Sequence, residues 1–257
     1  MLRSFLFFGV FLLIVVCAQA QSSSTIPGGT GILYNRETVF NLKLTTNRGF
    51  APGMEFGRLR TYYKTTYFHF NVGEIKHPKE TRQSADPSVG RSFRPYVFGK
   101  QNNLLVARAG WGAKRYFTEK ARTRGVAVGM SYAVGPTLGM LKPYYLALRR
   151  PAPDNPGSSR IVHEKYSTDN ADIFLDNTRI LGASPFTRGF GEISLAPGAH
   201  ASLALHLDWG AFDEFVKALE IGAMIDVFAR DMPIMVIEDN SPVFFNFFVN
   251  LQLGKRK

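Results

Sequence analysis

The hydrophobic pattern is clearest near the end of the chain. From Val243 to Leu253, Val243, Phe245, Phe247, Val249, Leu251 and Leu253 alternate with Phe244, Asn246, Phe248, Asn250 and Gln252. A two-residue period held this long predicts a strand with one apolar and one amide-rich face. Strands of ~9–11 residues with this alternation are the unit of a transmembrane β-barrel. Upstream, Phe40, Leu42 and Leu44 oppose Asn41 and Lys43, and Phe68, Phe70 and Val72 oppose His69, Asn71 and Gly73. Leu105, Ala107, Ala109 and Trp111 oppose Val106, Arg108, Gly110 and Gly112. Val126 to Val134 sets Val, Met and Tyr against the small residues Ala127, Gly129, Ser131 and Ala133, which suits the inside of a narrow barrel. Leu203, Leu205 and Leu207 oppose His200, Ser202, His206 and Asp208; Leu219, Ile221 and Ile225 oppose Glu220, Gly222, Met224 and Asp226. Met54 to Tyr62 alternates poorly and reads as a strand because strong runs flank it.

Turn residues punctuate these runs. Thr46 to Gly49, Thr118 to Arg124, Gly135-Pro136, Ala196-Pro197-Gly198 and Asp239 to Pro242 each read as a break. Gly135-Pro136 separates Val126–Val134 from a run at Leu138–Leu148. Ala196-Pro197-Gly198 separates a short run at Ile193–Leu195 from the one after it. The expectation is an all-β fold: an antiparallel transmembrane β-barrel of about ten strands, within eight to twelve, with a filled lumen. A soluble sandwich also alternates. These runs are longer than the ~5–6 residues usual for sandwich strands. Their apolar faces carry almost no charge; Lys217 and Lys142 are exceptions near strand ends, where a lysine can snorkel.

Arg149 to Phe186 lacks clear periodicity and reads as a long irregular rim loop, at about 150–186. Ten strands counted from a periplasmic N-terminus put it on the periplasmic side. Short turns are usual there, which points to a miscounted strand around Phe93 to Phe98.

Residues 1–20 carry the pattern of a secretory signal: Arg3, an apolar run from Phe5 to Cys17, then Ala18-Gln19-Ala20. The barrel domain is then 21–257. Val16 stands before Cys17, where a lipid-anchoring signal has a small residue, so no lipid anchor is read. Cys17 is the only cysteine, so the exported part has no disulfide and no cysteine metal site. The whole chain has 31 basic and 20 acidic residues; losing Arg3 leaves 30 against 20, a net +10. Anionic lipid or another envelope protein is the expected partner, rather than nucleic acid.

Candidate chemistry gathers on the polar faces. Lys43, His69, Arg108, Glu192, His206, Asp208, Glu220 and Asp226 read as a lumen network, with Ser194, His200, Ser202 and Lys114 at inward positions too. Buried charges need partners, and Arg108 is the best single candidate for a lumen salt bridge. His200-Ala201-Ser202 puts a histidine and a serine on one strand face, roughly 7 Å apart. That spacing looks like the H-x-S pair of outer-membrane lipid A deacylases. His77-Pro78-Lys79-Glu80 reads as a rim turn and a candidate partner contact, because Pro78 has no amide proton to donate to a ladder. No metal or cofactor is read: His200 and His206 are too far apart on one strand to share an ion.

His77-Pro78-Lys79-Glu80, Gly99-Lys100-Gln101-Asn102-Asn103, Arg108-Ala109-Gly110-Trp111-Gly112, Leu141-Lys142-Pro143-Tyr144-Tyr145-Leu146 and Leu251-Gln252-Leu253-Gly254-Lys255-Arg256 occur in that order. Together they resemble a family of small, mostly uncharacterised outer-membrane β-barrels of the Bacteroidota type, over most of the chain after Thr38. The resemblance implies an outer-membrane barrel in company with machines for barrel assembly or protein export. It brings no catalytic residues. The expectation is a non-enzymatic accessory subunit of such a complex in a Gram-negative outer membrane, in contact with lipids including lipopolysaccharide. The alternatives are a lipid A-modifying hydrolase using His200 and Ser202, and a narrow channel.

Overall fold

The computed structural model describes residues 35–84, 94–118, 125–152, 155–209 and 214–257, so the signal segment read at 1–20 lies outside the described residues. The strands are β1 (Arg36–Thr45), β2 (Phe50–Thr61), β3 (Lys64–Ile75), β4 (Arg82–Gln83), β5 (Tyr96–Val97), β6 (Asn102–Tyr116), β7 (Ala127–Pro143), β8 (Tyr145–Ala152), β9 (Asn155–Lys165), β10 (Ile180–Ala183), β11 (Ser194–Asp208), β12 (Phe215–Phe228) and β13 (Val243–Arg256). Eight of them close on themselves in the order β1-β2-β3-β6-β7-β11-β12-β13, every pair antiparallel, with β1 bonded to both β2 and β13. The chain therefore meanders round a barrel and leaves no free edge.

Eight strands, at the lower end of the expected range, arise from two of the predicted breaks. Gly135-Pro136 is not a turn but the middle of β7. The β6–β7 register is the same on both sides of it, Arg108 opposite Thr137 and Trp111 opposite Val134. Glycine is needed there for space: a Cβ on Gly135 would run into the Ala109 carbonyl oxygen and Gly110 Cα. Ala196-Pro197-Gly198 likewise lies inside β11. Pro197 sits just before the pairing with β12 begins at Gly198, and its carbonyl accepts the Ala229 N–H at 3.0 Å. Its missing amide proton thus costs the ladder nothing, as at a sheet edge. Gly135→Val should cost about 1–3 kcal/mol by overpacking. Gly191→Ala, where an added Cβ meets open space, should stay within about 0.5 kcal/mol. Unfolding midpoints in detergent check both.

The corrected count moves the loops. The start of β1, the end of β13 and the ends of β2, β6 and β11 lie at one rim. The β1–β2 turn lies at the far rim, where the long connections 76–101, 144–193 and 229–242 leave and rejoin the barrel. The miscount was at Gly135-Pro136, not around Phe93 to Phe98, where, among the described residues, β5 forms and pairs with β4 outside the barrel. Arg149–Phe186 is not irregular either. The chain leaves the barrel after Pro143, and β8 pairs with β9 and β10 in a separate three-stranded sheet. Leu146, Leu148, Phe174, Ile180 and Tyr96 form a core for it. Periodicity is weak because β10 has only four residues and both pairings shift register, between Pro151 and Ala152 and between Ile180 and Gly182.

The outward face of the barrel is apolar and exposed. Trp111 is 68% exposed, Leu253 62% and Val134 61%. Val243 and Leu253 bound the apolar run on β13, ten residues apart. That is about 34 Å at ~3.4 Å per residue, or about 26 Å along the axis at the ~40° tilt usual for barrels. Charge returns at the terminal rim, where Arg36, Arg58, Arg115, Lys217 and Lys255 stand exposed at outward positions.

Candidate functional site

The interior fills from two ends. At the far rim the last inward residues are apolar: Ile75, Leu104, Val106, Leu141 and Phe228 pack against Met232, Ile234 and Met235 of the β12–β13 connection. That connection folds back as a stopper. Lys100 bridges to Met235, and the Ile234 N–H donates to Asn240 Oδ1 at 2.9 Å.

Below the stopper lies a polar network to which all eight barrel strands contribute. Among the described residues, its buried carboxylates are Glu37, Glu55, Asp208, Glu220 and Asp226, and its buried basic side chains are Lys43, Arg108, Lys114 and Arg256. Arg108 makes a two-pronged bond to Asp226, Nε to Oδ1 at 2.6 Å and Nη2 to Oδ2 at 2.9 Å. Lys114 Nζ lies 2.9 Å from Glu55 and 3.5 Å from Glu37, and donates to Gln252 Oε1 at 3.1 Å. Arg256 Nη2 reaches Asp208 at 2.7 Å, and its Nε reaches Glu37 at 3.3 Å. Tyr116 donates its hydroxyl to Asp208 at 3.0 Å. Glu220 takes the Asn250 amide at 2.7 Å and lies 3.1 Å from His206 Nδ1. Lys43 Nζ stands 5.3 Å from the Phe248 ring centre, a cation–π distance. Room for these long side chains comes from inward glycines: a Cβ on Gly57 would strike Glu37, and one on Gly112 would strike Tyr67.

The structure places seven of the eight proposed lumen residues, Lys43, His69, Arg108, His206, Asp208, Glu220 and Asp226, inside the barrel and buried. Glu192 is a correction. It sits in the turn before β11, exposed outside the far rim, where it accepts hydrogen bonds from Lys165 at 2.6 Å and Tyr145 at 2.9 Å. Those two bonds, Lys165 first, hold its carboxyl below the usual carboxylate range. The reason is where β11 starts. Ile193 is not in a strand, so alternation counted back through it puts Glu192 on a face that does not exist. Ser194 shares that rim and accepts Arg230 Nη2 at 2.5 Å. Glu37, Glu55 and Arg256 are network members that the sequence reading missed. Arg256 keeps the same parity as Asn250 and Gln252, so carrying the alternation three residues past Leu253 finds it.

His200 and Ser202 both face inward. His200 Nε2 lies 2.9 Å from His69 Nε2, and its Nδ1 lies 2.9 Å from Thr137 Oγ1. Its ring nitrogens thus meet an imidazole and a hydroxyl, while the acid across the strand pair, Asp226, is held by Arg108. His77-Pro78-Lys79-Glu80 forms a tight turn at the far rim, with Glu80 N donating to His77 O at 3.0 Å. Glu80 binds Lys100 at 2.7 Å and Lys79 binds Glu238 at 2.5 Å, tying the turn to the stopper loop. Lys142 is the second charge read on an apolar face. It is buried there by a loop: its Nζ donates to the carbonyls of Phe186 at 2.9 Å and Arg188 at 3.0 Å, and lies 4.2 Å from the Phe186 ring centre.

No protein-family model and no curated protein matches the chain. Among solved structures, the crystal structure of Neisserial surface protein A (NspA) is similar at 8% identity, covering 87% of this chain and 95% of that one, with a TM-score of 0.35. The assignment to a closed, antiparallel all-β barrel rests on the chain's own strand pairing.

Proposed function

We propose that this protein spans the outer membrane of a Gram-negative cell as a stoppered, non-enzymatic barrel and serves as an accessory subunit of an outer-membrane assembly or export complex. The observation that carries the reading is the apolar belt. Its ~26 Å estimated height is close to the ~25 Å band of outer-membrane barrels. Apolar surface of that extent is rare on a soluble monomer. The start of β1, the end of β13 and three of the shorter connections share one rim, which suits the periplasmic side; the three longest connections then face outward. The basic side chains at the terminal rim can reach phospholipid headgroups while their stems stay in the belt. A barrel sealed by the Met232–Met235 stopper and by charge pairs has its outer wall and its far-rim cap left for contacts, which supports a role through partners. The His77–Glu80 turn, on that cap, remains the proposed partner contact.

Purification from native membranes in mild detergent should retain stable companion proteins, identified by mass spectrometry. A lone monomer would count against the accessory role. In planar bilayers the purified chain should show no steady conductance; an open channel would favour the narrow-pore alternative.

A further inference from the structure

The far rim holds a cavity of about 750 Å³ between the β1–β2 turn, the His77–Arg82 and Arg94–Val97 segments, and the loop at 183–188. That size is in the range of ligand pockets. Its charge is one-sided: seven lysines and arginines line it against two carboxylates, Glu74 and Glu80. Those two are already engaged, Glu80 by Lys100 at 2.7 Å and Glu74 by Lys76 at 3.5 Å. Among the described residues, no carboxylate pairs with Arg48, Arg82, Arg94 or Arg188, and Lys142 meets only carbonyls and rings. The Lys142 contacts also fix the backbone that carries Arg188. Four arginines from three separate loops therefore line one cavity with, among the described residues, no carboxylate paired to any of them. Guanidinium forks match phosphate oxygens in pairs, which a lone surface lysine does not do.

We infer that this cavity is a binding site for a phosphate-bearing anion. A phosphorylated lipid headgroup and a free polyphosphate share that chemistry, and only the headgroup source rests on the membrane reading. The test uses the full chain in neutral detergent, titrated calorimetrically with inorganic pyrophosphate. Wild type should bind, more weakly as salt is raised. Arg94→Ala/Arg188→Ala should weaken binding by about tenfold or more. Arg36→Ala/Arg58→Ala, which removes two charges at the opposite rim, should leave it unchanged. Heat-modifiable gel mobility checks that each variant is folded. Lipopolysaccharide that competes with pyrophosphate identifies the source as a headgroup. Pyrophosphate binding without that competition identifies a soluble anion, and keeps the site. Absence of pyrophosphate binding, or equal weakening by the two double variants, overturns the inference. A chain that proved not to reside in a membrane would still bind pyrophosphate, so the two failures are distinct.

Discussion

Arg108→Ala should lower unfolding stability by about 3–5 kcal/mol, because it leaves Asp226 charged and buried without a partner. Both side chains are nearly inaccessible, at 3% and 0% exposure, and the bond is bidentate. Arg108 also reaches Asn71 Oδ1 at 3.4 Å, so the variant loosens a third strand. Arg108→Lys should recover only part of the loss, since an ammonium cannot span both carboxylate oxygens. Replacing both partners, Arg108→Leu with Asp226→Leu, should cost less than the sum of the single changes, because no orphaned charge remains. Urea unfolding in micelles checks this series, with Trp111 on the outer face of the same strand as reporter. The magnitude also decides the state of the lumen. In an open, water-filled barrel the pair would be screened and worth about 1 kcal/mol or less. A loss that small would remove the plug and reopen the channel alternative.

The strands were legible where alternation was supported on both faces. β13 and β12 could be read almost residue by residue, because large apolar groups alternate with amides or acids. β2 was hard for a physical reason. Its inward side is Ala51, Gly53, Glu55 and Gly57, of which all but Glu55 are too small to mark a face, and its bulge between Leu59 and Thr61 shifts the phase. The two false turns are the same lesson in another form. Gly-Pro and Pro-Gly mark a turn when only local preference acts, yet here neighbouring strands override it. Gly135 is where two backbones come close, and Pro197 lies where one neighbour has already ended. Neither fact exists before the strands pair.

The interior was legible through parity alone, which explains both its successes and Glu192. Parity assigns a face only inside a strand, so it held for Arg108 and Asp226 and failed two residues before Ser194. It also could not say who meets whom. Lys114 is separated from Glu37 by 77 positions and from Gln252 by 138, distances closed only by the barrel. The far-rim cavity was invisible for the same reason. Its arginines are scattered over loops without periodicity, and each alone reads as a solvated surface charge.

Ile221→Arg should destabilise the barrel in a bilayer by about 2–4 kcal/mol, while Phe215→Arg, six residues away on the same strand and face, should cost only about 0–1 kcal/mol. Ile221 is 49% exposed and lies midway along β12, with Leu205 and Val249 as its partners on either side, so an arginine there has no nearby water if the belt is in lipid. Phe215 is just as exposed, at 55%, but pairs with Lys255 at the basic terminal rim, where a guanidinium meets headgroups and water. The two sites thus differ in depth far more than in exposure or neighbouring backbone. Reversible urea unfolding in phospholipid vesicles measures the difference. For a barrel standing in water both arginines would be surface substitutions, each within about 0.5 kcal/mol. Equal, small effects at Ile221 and Phe215 would therefore place the outer face in solvent. A gap of about 2 kcal/mol or more, with Ile221 the costlier, is what a hydrocarbon belt imposes.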